Sequence, residues 1–160
     1  MKLADITKLI ISCLLCLSAG ALGSLFTTTD SLTTWYAALT KPSFTPPGWL
    51  FGPVWTVLYI LMGLSFFLIW RKGLHTRPAA VALACFITQL ILNALWTPIF
   101  FCLHLILLAF IEILLLSATI LITILAFARI SPAAAILLIP YLAWTAFAAV
   151  LNASIYLLNK

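Results

Sequence analysis

The side chains able to do chemistry are few, and most of them sit inside long apolar runs. Gln89, Asn93 and Trp96 recur at i, i+4 and i+7, which places them on one face of a helix. Tyr141, Trp144, Ala148 and Asn152 form a similar stripe near the C-terminus, and Trp55, Tyr59 and Met62 share a face earlier in the chain. Amides in a region of low dielectric need hydrogen-bonding partners, so these stripes should face a protein interior and not lipid. Two arrangements meet that demand. In one, the amides bond across helices and the rings simply pack. In the other, they line a mostly apolar pocket with a few polar groups, the usual make-up of a small-molecule site.

Other chemistries are poorly represented. Glu112 is the one acid well inside an apolar run, and an intramembrane carboxylate is a functional candidate by default. It is expected to face a second copy of the chain or to reach the lipid headgroups. Cys13 and Cys16 have the C-x-x-C spacing of redox or metal sites, but no histidine or second cysteine pair completes a zinc site. They read as small apolar side chains one turn apart. His75 and His104 fall in connectors and read as solvated interface residues, not haem ligands. No paired carboxylates and no nucleophile–base pair mark an ordinary enzyme, and no metal site is expected.

The elements that carry these residues follow from composition. Of 160 residues, 66% are hydrophobic and 7% charged, where a soluble domain carries about 25% charged residues. Apolar runs of membrane-spanning length recur. They predict helices over about 6–26, 48–70, 79–101, 105–128 and 132–158, a single all-α membrane domain over 1–160. A basic start followed by Ala19-Gly20-Ala21 also resembles a cleavable signal peptide. The apolar run continues to Phe26, which favours a retained span. Ala19 with Gly23, and Gly20 with Ser24, are small-residue pairs suited to close helix approach. Thr97-Pro98 and Pro140 predict local kinks.

The connector from Thr27 to Pro47 is long for a helix–helix loop, and long loops are usually functional or disordered. Its aromatics and prolines argue for order, so it is expected to fold as a cap over one end of the bundle. Pro42, Pro46 and Pro47 exclude regular helix over 41–47, Pro46 and Pro47 suit the start of the next helix, and Trp49 marks a membrane interface. Lys2, Lys8, Arg71, Lys72, Arg77 and Arg129 fall at one end of the five spans, and only Lys41 and Lys160 at the other. The net charge of +5 is therefore read as topology, not nucleic-acid binding, and it puts the N-terminus in the cytoplasm of a bacterial cell. At a rise of about 1.5 Å per residue, Trp55, Asn93, Trp96 and Asn152 each lie roughly two turns in from the capped end.

Three blocks carry a resemblance: Trp35 to Tyr59 (WYAALTKPSFTPPGWLFGPVWTVLY), Gln89 to Phe101 (QLILNALWTPIFF) and Pro140 to Asn152 (PYLAWTAFAAVLN). In this order they resemble the tryptophan-rich sensory protein family, also called TspO, the translocator protein or the peripheral benzodiazepine receptor. The resemblance implies a five-helix protein, usually a homodimer, that binds flat or polycyclic hydrophobic ligands. These are tetrapyrroles such as protoporphyrin IX and, in some members, sterols and drugs, held for transport, sensing or disposal. No cofactor is required, and the porphyrin is a ligand.

The matching positions are Trp35, Tyr36 and Pro42 in the loop, Trp55 and neighbouring Tyr59, Gln89, Asn93 and Trp96, and Ala143, Trp144, Phe147 and Asn152. By resemblance, Trp55 and Trp144 lie against the ligand, where aromatic stacking on a porphyrin adds to simple burial. Some relatives are described as promoting light-dependent porphyrin breakdown; on that alternative the same two tryptophans would be the redox-active groups. A weak sterol-contact pattern, Val150 or Leu151, Tyr156 and Lys160, doubles as an interface anchor.

Overall fold

The computed structural model describes residues 3–28 and 31–160. Lys2, expected to flank the first helix, lies outside the described residues. Five helices are long and apolar enough to cross a membrane: α1 (Leu3–Ser24), α2 (Gly48–Lys72), α3 (Arg77–Cys102), α4 (Ile106–Ala128) and α5 (Pro132–Leu158). No strand occurs among the described residues. The helices close into a ring in the order α2, α1, α3, α4, α5, with α5 returning to α2. The N-terminus and the α2–α3 and α4–α5 connectors share the basic end. The long loop and the C-terminus share the cap end.

Local chemistry explains the helix boundaries. Pro47 is extended (φ −61°, ψ 141°), and α2 begins with a tight turn over Gly48–Leu50. It ends at Gly73, whose φ of 98° only glycine adopts without strain. Thr76 caps α3 by accepting from the Ala79 N–H at 3.4 Å. At Pro98 no N–H is available to continue the α-helical ladder, and α3 finishes in a wider turn over Pro98–Cys102. His104 then reverses the chain at φ 56°. In α5 the break falls at Leu138, between segments Pro132–Leu137 and Ile139–Leu158. Pro140 cannot donate to the carbonyl four residues back, so the ladder is interrupted just before it.

Small residues let α1 approach both of its neighbours. A methyl at Gly20 would collide with the Tyr59 ring, and one at Gly63 would come within 2.6 Å of the Cys13 Cα. Gly23 meets Thr97 of α3. Cys16 is fully buried in this seam, a free thiol acting as a small apolar side chain.

The basic half of the bundle is a continuous apolar core. Phe66, Phe86 and Phe127 stack in series, with centroids 5.0 and 5.7 Å apart. Trp70 extends the stack at 5.7 Å, and Lys8 lies 6.0 Å over its ring. Lys72 donates to the Ile130 carbonyl at 2.6 Å, tying the two basic connectors together.

Candidate ligand site

The long loop folds as a cap, through a wide turn at Ser31–Trp35 and a short helix at Tyr36–Ala38. Trp35 stacks on His104 at 4.1 Å and 15°, and meets Phe100 edge-on at 5.3 Å. Tyr36 packs on Phe100 and Phe101, with the Lys41 ammonium 4.6 Å above its ring. Burial pushes the Tyr36 phenol above its ordinary range. Asn159 hydrogen-bonds the cap to the end of α5. Asn159 Oδ1 accepts from the Thr40 N–H at 2.9 Å, and its Nδ2 donates to the Thr40 carbonyl at 2.8 Å.

Beneath the cap, α2 and α5 part company. At the basic end they pack closely, and Ser65 Oγ donates to the Ala134 carbonyl at 2.7 Å. Toward the cap they touch only sparsely, and rings bridge the widening space. Trp55 meets Tyr141 at 6.1 Å, Phe51 meets Trp144 at 5.8 Å, and Phe44 of the cap meets Phe147 at 6.3 Å. All three pairs are edge-to-face, as the ring quadrupoles favour. Trp55 also stacks on Tyr59 at 5.5 Å, and Trp144 tilts against Phe147 at 5.5 Å.

A polar line crosses the foot of this ladder. The Tyr59 hydroxyl donates to Asn93 Oδ1 at 2.5 Å, and Asn93 Nδ2 donates to the Tyr141 oxygen at 3.0 Å. Asn93 therefore joins α2, α3 and α5, the cross-helix bonding that one reading of the stripe required. Gln89 and Asn152 behave differently. Both are buried, and neither amide has a hydrogen-bond partner among the described residues. The indole N–H groups of Trp96 and Trp144 are also buried without one.

The expected residues thus fall into two groups. Trp55, Tyr59, Asn93, Trp144 and Phe147 belong to the ladder and its polar foot. Trp35, Tyr36 and Trp96 gather instead around Phe100, with Trp96 stacked on Phe100 at 4.9 Å. Pro42 is half-buried in the cap, where its carbonyl accepts from Thr45 Oγ1 at 2.7 Å.

Three expectations change. Ala143 is exposed on α5, because the face that turns Trp144 and Tyr141 inward turns Ala143 outward. Glu112 faces neither headgroups nor a neighbouring copy: it is 6% exposed, turned into the bundle, and both carboxyl oxygens lack partners among the described residues. The ladder is filled by its own rings. Two cavities at this end, of about 220 Å³ beside Trp35 and His104 and about 470 Å³ along α4 and Tyr156, are lined by neither Trp55 nor Trp144.

Phe51, Phe44 and Asn159 are the site residues that sequence reasoning left out, while Tyr141 was placed on the α5 stripe but not among the ligand contacts. Phe51 lies one turn before Trp55, so helical spacing could have found it. The Asn159–Thr40 clamp spans 119 residues of chain and leaves no local signal.

This is a multi-pass integral membrane protein, a bundle of five helices whose cap-end half is aromatic and partly polar. The chain belongs to the TspO/MBR family, whose model matches residues 12–158. It is 44% identical over 155 residues to the tryptophan-rich protein TspO of Archaeoglobus fulgidus, covering 97% of this chain and 99% of that one. It is 46% identical over 119 residues to the translocator protein of Homo sapiens, covering 74% and 70%. With the tryptophan-rich sensory protein of Cereibacter sphaeroides it shares 34% over 125 residues, covering 78% and 77%.

Proposed function

We propose that the protein binds flat, polycyclic hydrophobic ligands, tetrapyrroles such as protoporphyrin IX foremost, between the cap-end halves of α2 and α5, for their transport, sensing or disposal. The observation that carries this reading is the ring ladder at the point where α2 and α5 separate. The two helices have little backbone contact there, so parting them costs chiefly ring contacts. A planar ligand replaces each lost edge contact with a stacked face. The unpaired N–H of Trp144 and the amide of Asn152 are available to its polar substituents.

Trp55 and Trp144 are the contact residues in this reading. The cap, held by Asn159, covers the ladder through Phe44. The working unit is a homodimer in a bacterial cell membrane with its N-terminus in the cytoplasm, as the family resemblance and the basic end support.

The test is a dark titration of protoporphyrin IX into the detergent-purified protein, read by tryptophan fluorescence, beside Trp55→Phe and Trp144→Phe. Saturable quenching that weakens in both variants is the expected result. Absence of saturable quenching overturns the assignment. A second reading draws on the stacked Trp55–Tyr59 pair, whose phenol is hydrogen-bonded and whose rings suit one-electron chemistry. It expects bound porphyrin to bleach under light in the wild type and to survive in Trp55→Phe. Equal bleaching of free porphyrin removes this second reading.

A further inference from the structure

At the basic end, two cations lie against rings instead of reaching into water. The Lys8 ammonium is 6.0 Å over the Trp70 ring, and the Arg71 guanidinium is 5.5 Å over Phe67. A long cation at a membrane surface ordinarily extends toward water. Arg71 instead turns back onto a ring one turn deeper in α2. Lys8 stands five residues on from Leu3, roughly 7–8 Å along α1. The two helices are neighbours, and Trp70 precedes Arg71 in α2, so the cations flank one seam.

Neither side chain is satisfied by the protein. Among the described residues, neither makes an ion pair or a hydrogen bond. A ring attracts a cation but leaves most of its N–H donors unused, and an ammonium has three and a guanidinium five. Asp5, one turn before Lys8, is the acid nearest in sequence and makes no ion pair among the described residues. Lys72 is directed elsewhere, onto the Ile130 carbonyl. Arg77 and Arg129 are exposed, at the start of α3 and just after α4.

The surface running down from these cations is apolar. Leu15, seven residues after Lys8, and Ile60, eleven residues before Arg71, recur on the same helix faces, and both are exposed. The seam therefore presents unpaired cations near the helix ends and hydrocarbon surface below them. A soluble polyanion matches only the first. An amphiphile with an anionic head matches both.

We propose that the basic end of the α1–α2 seam is a binding site for an anionic phospholipid, with its phosphate between Lys8 and Arg71 and its chains along Leu15 and Ile60. The phosphate oxygens accept charge-assisted hydrogen bonds from both side chains. Trp70, half-buried beneath Lys8, lies at the level of the headgroup. The site is at the opposite end of the bundle from the ring ladder and does not depend on what the ladder binds. A general excess of basic residues attracts anionic lipid diffusely, through every cation at that end. A built site differs in that two particular cations carry the preference.

The experiment is native mass spectrometry of the full chain in detergent, with phosphatidylglycerol and phosphatidylcholine of the same acyl chains in competition. The wild type should retain one phosphatidylglycerol per chain, preferred about twenty-fivefold, the product of about fivefold for each cation near an anionic headgroup. Lys8→Gln and Arg71→Gln should each lower that preference about fivefold. Arg77→Gln and Arg129→Gln remove the same charge from the same end and should leave it unchanged. Lys8→Arg keeps the charge and should keep the preference, which separates a lost cation from a disturbed helix. Equal retention of the two lipids by the wild type overturns the proposal. So does a similar loss in all four neutral variants, the mark of diffuse attraction, or a loss confined to Arg77→Gln and Arg129→Gln. A loss in Lys8→Arg as deep as in Lys8→Gln overturns the role of its charge.

Discussion

The two ends of the bundle are built from the same five helices and do opposite things with their aromatics. At the basic end, Phe66, Phe86 and Phe127 stack face to face, buried and without a polar atom among them. At the cap end the rings are Trp and Tyr as well as Phe. Where they join α5 to α2 and to the cap they meet edge-on, and polar atoms around them lack partners among the described residues. The first arrangement maximises contact and has little to exchange. The second holds unspent hydrogen-bonding capacity, and an unsatisfied buried polar group costs about 1–3 kcal/mol. Most of the buried polar atoms left without partners, those of Trp96, Trp144, Asn152 and Glu112 among them, lie toward the cap end, where a ligand could recover that cost. Stability and recognition are thus assigned to different halves of the same helices.

Substitutions at the two ends should separate these roles. The largest effect is expected from Phe86→Ala, which removes the middle ring of the basic-end stack. A loss of about 3–5 kcal/mol of stability is expected, with porphyrin affinity of the folded fraction unchanged. Thermal unfolding beside a binding titration checks it, and a selective loss of affinity would contradict the division. Next is Asn93→Leu, which strips Tyr59 and Tyr141 of their shared partner. It should cost about 1–3 kcal/mol and alter ligand affinity as well, because the amide belongs to both packing and site.

Trp55→Phe and Trp144→Phe should do the reverse of Phe86→Ala. Each is expected to weaken porphyrin binding about three- to tenfold, the worth of an aromatic contact of about 0.5–1.5 kcal/mol, with unfolding little changed. Unchanged affinity in both would move the ligand out of the ladder. The smallest effect should come from Asn159→Ala, which removes the hydrogen bonds between the cap and the end of α5 and leaves the Phe44–Phe147 contact. Hydrogen exchange at the Thr40 amide should quicken about fivefold, in keeping with the loss of about 1 kcal/mol of hydrogen bonding. Ligand should then associate and dissociate faster with little change in Kd. Stopped-flow quenching measures both rates, and slower exchange would show that the clamp does not govern access.

Much of the fold was legible because lipid imposes a simple rule: every backbone polar group must be satisfied within its own helix, so apolar runs of sufficient length declare themselves. Pro98 and Pro140 announced their irregularities, though not that one would become a widened turn and the other a break at Leu138. The stripe from Gln89 to Trp96 was visible, and its inward orientation followed from the cost of bare amides in hydrocarbon.

What the sequence by itself determined was the architecture of five apolar helices, the asymmetry of charge between their ends, the positions where prolines interrupt them, and the family. Each is a property of local composition or short spacing. Only the tertiary structure decided that Asn93 finds two phenols while Gln89 and Asn152 find none, that Glu112 points inward, and that Trp35 and Trp96 meet Phe100 while Trp55 meets Tyr141 and Trp144 meets Phe51. It also decided that Asn159 closes on Thr40. A helix rotation of one residue, about 100°, would exchange any of these for lipid contact. That rotation is set by the packing of all five helices at once, which no single stretch of sequence encodes.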